Sequence, residues 1–177
     1  IKTQYPLPFI PKALLYCGNL QKQHEESESA LEHYNQVVTQ WPDSPDFFSA
    51  LLESADIFMK QGMLINAKKR LTRLIESRRS SPRQKASAWL YLGILHSRQN
   101  AFSLSCNAFL RVIQLYPHHR SLAKKACFQA LTLPPHAGDG RWKRTVAENA
   151  LRTSWPLTPE EQSLLESFTD HESKPRS

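Results

Sequence analysis

Apolar residues recur along this chain at steps of three and four, the spacing that places side chains on one face of an α-helix. Phe47, Leu51, Ala55 and Phe58 form one such stripe, and Leu64, Ala67, Leu71, Leu74 and Ile75 form the next. Trp89, Leu92 and Leu95 repeat the pattern, followed by Ala108, Phe109, Val112 and Ile113. The spacing predicts helices over 47–60, 63–75, 86–97 and 101–116. No sustained alternation marks a strand, and no Asn-Gly or Asp-Gly pair sits between β-branched runs. The breaks carry helix punctuation. Ser44-Pro45 and Ser81-Pro82 each offer a capping hydroxyl with proline at the first helical position, and Thr158-Pro159-Glu160-Glu161 reads as a capping box. Gly62 and Asn100 fall where one helix stops and the next begins, and Pro42 and Pro117 close helices that run into Trp41 and Tyr116. Residues 134–141 are the clearest loop.

The 34-residue window 86–119 places Trp89 at its position 4, Leu92 at 7, Gly93 at 8, Phe109 at 24 and Pro117 at 32. A window from residue 11 places Leu14, Cys17 and Gly18 at 4, 7 and 8, then Ala30, Tyr34, Val37 and Pro42 at 20, 24, 27 and 32. A window from 48 places Leu51, Ser54, Ala55, Phe58, Ala67, Leu71 and Leu74 in the same register, with Arg79 at the proline position. A fourth start at 120 brings Ala123, Ala126, Cys127 and Ala130, with its second helix delayed to about Trp142–Ser154 by the Pro-Pro loop. Small residues at positions 8 and 20 let two helices cross closely, and larger ones at 4, 7, 11 and 24 fill the space around the crossing.

This register resembles the tetratricopeptide repeat, whose signature puts Trp, Leu, Gly, Tyr, Ala, Phe, Ala and Pro at positions 4, 7, 8, 11, 20, 24, 27 and 32. His96, Ser105 and Val112 depart from it at 11, 20 and 27 of the third unit. The resemblance implies an all-α fold: a right-handed α-solenoid of stacked helix-turn-helix repeats with a C-terminal capping helix. The expected organisation is an N-terminal extension over 1–10, a repeat array over 11–157 with units starting near 11, 48, 86 and 120, a capping helix over 158–169 and a flexible tail over 170–177.

Charge narrows the partners. The net charge is +7, and it is unevenly spread. Residues 1–66 hold 4 basic and 8 acidic groups, residues 67–157 hold 17 and 3, and residues 158–177 hold 2 and 5. So basic a middle favours acidic partners. Lys68, Lys69, Arg70, Arg73, Arg83 and Lys85 make up an expected basic face for an acidic protein surface or nucleic acid, with no sign of base-specific recognition. Glu25, Glu26, Glu28 and Glu32 read as an acidic start to the second helix, where negative charge is favoured.

Chemistry is sparse. There is no Gly-rich phosphate loop, metalloprotease motif, nucleophile elbow or Cys-x-x-Cys. The adjacent pair His118-His119 points in different directions and makes no metal site. Cys17, Cys106 and Cys127 are too few and too widely spaced for a disulfide framework or zinc site, and are expected to be reduced and mostly buried. The expectation is therefore no catalysis, no cofactor and no metal. No apolar run approaches the length of a membrane span. Cysteine usage leans towards a reducing, cytoplasmic setting, and a chain that opens on Ile1 reads as a piece or a processed form.

The resemblance further implies a groove lined by the first helix of each unit. At position 5 stand Leu15, Leu52, Leu90 and Lys124, and at position 9 Asn19, Asp56, Ile94 and Phe128. Family members that clamp a chaperone's terminal carboxylate use Lys, Asn and Arg here. This chain keeps Asn19 but offers Asp56 and the apolar Leu52, Leu90 and Ile94. The expected function is a non-catalytic scaffold that binds a peptide or helix of a partner protein in an apolar groove. Polyanion binding through the basic face and docking of an enzyme as an accessory subunit are the alternatives.

Overall fold

A computed structural model of the chain describes residues 9–134, 141–153 and 155–169. Among these the protein is all-helical, with nine helices and no strand. They are α1 (Ile10–Gln23), α2 (Ser27–Gln40), α3 (Phe47–Lys60), α4 (Leu64–Glu76), α5 (Pro82–Arg98), α6 (Phe102–Leu115), α7 (Arg120–Leu131), α8 (Arg141–Arg152) and α9 (Pro159–Thr169). The chain forms two compact units, 1–84 and 85–177, so that α5 begins in the first and continues in the second. The expected extension and tail fall mostly on residues 1–8 and 170–177, outside the described residues.

In the first unit each helix packs on the next, α1 on α2, α2 on α3 and α3 on α4. The hairpin crossings explain the register. A Cβ added at Gly18 would lie 2.6 Å from the Tyr34 ring, closer than any unstrained contact. Tyr34, Ala30 and Val37 are fully buried around that point. In the middle repeat the same two positions hold Ala55 and Leu71, both fully buried: a smaller partner leaves room for the methyl group. Each hairpin turns through a left-handed residue at repeat position 15, namely Glu25 (φ 65°), Gly62 (φ 75°) and Asn100 (φ 57°). Glycine and asparagine take that conformation readily, whereas glutamate does not. Glu25 is therefore a turn residue and not the start of α2, and Glu28 is the acidic residue in the first turn of that helix.

Two caps carry reciprocal hydrogen bonds. The Thr158 N–H donates to Glu161 Oε2 (2.8 Å) and the Glu161 N–H to Thr158 Oγ1 (3.2 Å). Ser81 and Gln84 do the same at α5, at 2.8 and 3.2 Å. Ser44 departs from expectation. It caps no helix: its Oγ accepts from the Asp46 N–H (3.1 Å) and its carbonyl from the Phe47 N–H (3.2 Å), closing a turn ahead of α3. Where the middle repeat lacks its proline, Arg79 reaches back to the preceding link, donating to Asp43 Oδ1 and the Asp43 carbonyl, both at 2.6 Å.

The second unit repeats the crossing with Gly93 against Phe109, where an added Cβ would fall 2.6 Å from a ring carbon. The buried Ser105 hydroxyl donates to the Gly93 carbonyl (2.8 Å), satisfying a polar group that would otherwise cost stability. The core gathers Phe109, Val112 and Ile113 of α6, the small residues Ala123, Ala126, Cys127 and Ala130 of α7, Val146, Ala147 and Ala150 of α8, and Leu165 of α9. Position 15 of the fourth window is Pro134, and its second helix starts only at Arg141.

Candidate functional site: two clefts of the first unit

The first cleft lies between α1 and α3. It has a volume of about 420 Å³ and is lined by Asn19, Lys22, Gln23, Glu53 and Lys60. Lys22 sits one turn beyond Asn19, and its ammonium reaches across to Asp56 (2.6 Å) and Glu53 (2.7 Å), while Lys60 pairs with Asp56 from one turn away (3.3 Å). The Lys22 and Asp56 side chains are only 20% and 19% exposed, so water screens this pair weakly. Burial alone would lower the Lys22 pKa, but its bonds to Asp56 and Glu53 outweigh burial and hold the ammonium well above the usual lysine range. Burial would likewise raise Asp56, and the hydrogen bond and charge of Lys22, helped by Lys60, hold it below the usual carboxylate range. Both groups therefore stay charged across the neutral range.

Beside this network the Tyr34 hydroxyl donates to Asn19 Oδ1 (2.8 Å). Burial, reinforced by the Glu53 charge, pushes Tyr34 up to about 12, so the phenol keeps its proton. Asn19 is thus held by its oxygen, and its amide nitrogen has no protein partner among the described residues. The same repeat positions in the second unit hold Ile94 and Phe109, an apolar pair in place of a polar one. Glu53 completes the network with Lys22, and it was not among the groove residues expected from the sequence. The hydroxyl at position 24 opposite an asparagine at position 9 was the available signal for the polar pair.

The expected row of exposed leucines is not what the fold displays. Leu15 and Leu52 are half-buried. Leu90 is 3% exposed and belongs to the second unit's core, because its face of α5 packs within the cluster around Phe109. Ile94 and Phe128 are half-buried in that unit. Lys124 is engaged structurally: its ammonium meets Glu161 (2.6 Å) and the Pro156 carbonyl (3.1 Å), tying the start of α9 to α7. Lys124, as hydrogen-bond donor and positive charge, holds Glu161 below the usual carboxylate range.

The second cleft, about 390 Å³, is lined by Phe58, Asn66, Lys69, Arg70 and Arg73. Arg70 is half-buried, lies 5.9 Å from the Phe58 ring centre and donates to the Asn35 side-chain oxygen. Arg73 stacks over the Phe47 ring at 4.7 Å. Lys69 and Arg73 are exposed, as are Lys68 and Arg83, and Lys85 is half-buried. Of the six basic residues expected to act together, Lys69, Arg70 and Arg73 meet in this cleft, while Lys68, Arg83 and Lys85 are not part of its lining.

Cys17 is exposed. Cys106 and Cys127 are buried, and burial pushes their thiols up to about 11 and about 12, which keeps them in the unreactive protonated form. Among the described residues no helix is long and apolar enough to cross a membrane.

Consecutive helical hairpins with one recurring register define a helical-repeat protein. Residues 12–44 match the tetratricopeptide repeat family. The α1–α2 hairpin with its following link is thus one such repeat, and the resemblance seen in the sequence holds there. No curated protein matches the chain. The repeat is in general a non-catalytic platform for protein–protein interaction.

Proposed function

We propose that the chain is a non-catalytic interaction module within a larger assembly, and that it receives a peptide or helix segment of a partner protein at the α1/α3 cleft. The observation that carries this reading is the Asn19 amide, pinned through its oxygen by Tyr34 and left with two donors on the wall of a cleft of about 420 Å³. Such a fixed amide suits a peptide carbonyl, because little side-chain entropy remains to be lost on binding. Leu15 and Leu52, half-buried at one repeat position, supply the apolar anchors. Lys22 already satisfies Asp56 and Glu53, so the cleft is not a clamp for a free carboxylate. It favours a neutral or mixed-charge segment.

A photo-crosslinker placed at Gln23 tests this, with one at Arg83 as the control. The expected outcome is a protein adduct at position 23 that maps to a single segment of a single partner and disappears in Asn19→Ala and Leu52→Asp, both still helical. Adducts at Arg83 alone, or adducts indifferent to both substitutions, would move the binding surface elsewhere.

A further inference from the structure

The cleft on α4 has the opposite electrostatic character. Asn66, Lys69, Arg70 and Arg73 recur at steps of three and four, which puts them on one face over two turns, roughly 10 Å of helix. Three cations and an amide line the cleft with no carboxylate among them, and none of the three has an ion-pair partner among the described residues. Arg70 is half-buried in this state and Arg73 lies beside it. Gathering like charges in a partly dry cleft is unfavourable unless something anionic offsets it. The two guanidinium groups are also pre-set: contacts with Phe58 and Asn35 hold Arg70, and stacking over Phe47 holds Arg73.

We propose that this cleft is a binding site for a single phosphate monoester carried on a segment of a partner protein. A dianion with three terminal oxygens matches two planar guanidinium forks, an ammonium and an amide better than a monoanionic carboxylate does. The neighbouring basic residues do not line the cleft. Arg79 is neutralised by Asp43 at 2.6 Å, and Lys68, Arg83 and Lys85 are not part of the lining. The site recognises one phosphate group, and it does not depend on the α1/α3 cleft.

The test titrates the protein at low salt with a phosphoserine peptide of neutral flanks, its serine and glutamate counterparts, inorganic phosphate and an oligothymidylate. Calorimetry should detect the phosphopeptide, miss the serine peptide, and find the glutamate peptide and inorganic phosphate at least about tenfold weaker. Lys69→Ala and Arg70→Met should each weaken the phosphopeptide roughly tenfold or more, and Arg83→Ala should not. Lys69 is exposed, so its truncation reads binding even if Arg70→Met perturbs folding. Absence of phosphopeptide binding, equal binding of the serine peptide, or indifference to both substitutions overturns the proposal. So does inorganic phosphate binding as tightly as the peptide, which would assign a free anion, or tighter binding of the oligothymidylate, which would assign a nucleic-acid surface.

Discussion

The two clefts of the first unit use the same residue types to opposite ends. Around Lys22 every charge has a partner: one ammonium bridges Glu53 and Asp56, and Lys60 closes the set. Around Arg70 three positive groups meet without an acid. The first arrangement is complete and stiffens α1 against α3. The second is incomplete and keeps a capacity for an anion. A count of basic residues cannot separate them. What separates them is whether the facing helix presents carboxylates, as α3 does towards α1 through Glu53 and Asp56.

The contrast predicts opposite signs for removing one charge from each cleft. Asp56→Asn strands the Lys22 ammonium beside one carboxylate in place of two, and should lower stability by roughly 1–3 kcal/mol in denaturant titration. The pH dependence sharpens this. Asp56 has a folded pKa below its unfolded value, so its contribution is fully present above about pH 4 and fades as the pH falls through the lower folded value. The gap between parent and Asp56→Asn should therefore stay flat near neutrality and close in acid. A gap that widened in acid would break the assignment.

Arg70→Met keeps the apolar stem and removes a half-buried cation with no acidic partner. Stability should hold or rise by up to about 1 kcal/mol in the absence of anions. A loss as large as that of Asp56→Asn would show that Arg70 is already compensated, and the comparison would fail. Lys60→Ala should have the smallest effect, at most about 0.5 kcal/mol, because its side chain is 63% exposed at the edge of the network. Chemical denaturation in low and high salt would resolve the three, with only the Asp56 effect persisting at high salt.

The helical hairpins were legible in the sequence because the register encodes size. Gly18 with Ala30, Ala55 with Ala67 and Gly93 with Ser105 announce close crossings whatever surrounds them, and Gly62 and Asn100 announce the turns. Glu25 was not legible, since nothing in a glutamate signals a left-handed backbone; only its alignment with Gly62 and Asn100 at position 15 does. The clefts were half legible. Position 9 pointed to Asn19 and Asp56, but the partners of Lys22 lie 31 and 34 residues away on another helix, and no local pattern pairs them. Leu90 shows the converse. Its repeat position suggested a groove, and packing of the second unit's core claimed it.

The Gly93 and Phe109 crossing has a consequence for how this chain tolerates change. The middle repeat already carries the alternative solution, with Ala55 and Leu71 at the same two positions and both fully buried. Gly93→Ala alone pushes a methyl into a ring, and Phe109→Leu alone opens a void. Together they convert one crossing into the other, so a double-mutant cycle should return a favourable coupling of roughly 1–2 kcal/mol. Among the first three repeats two carry the glycine-aromatic pair and one the alanine-aliphatic pair, and a single substitution that leaves either pair lands on a less stable intermediate.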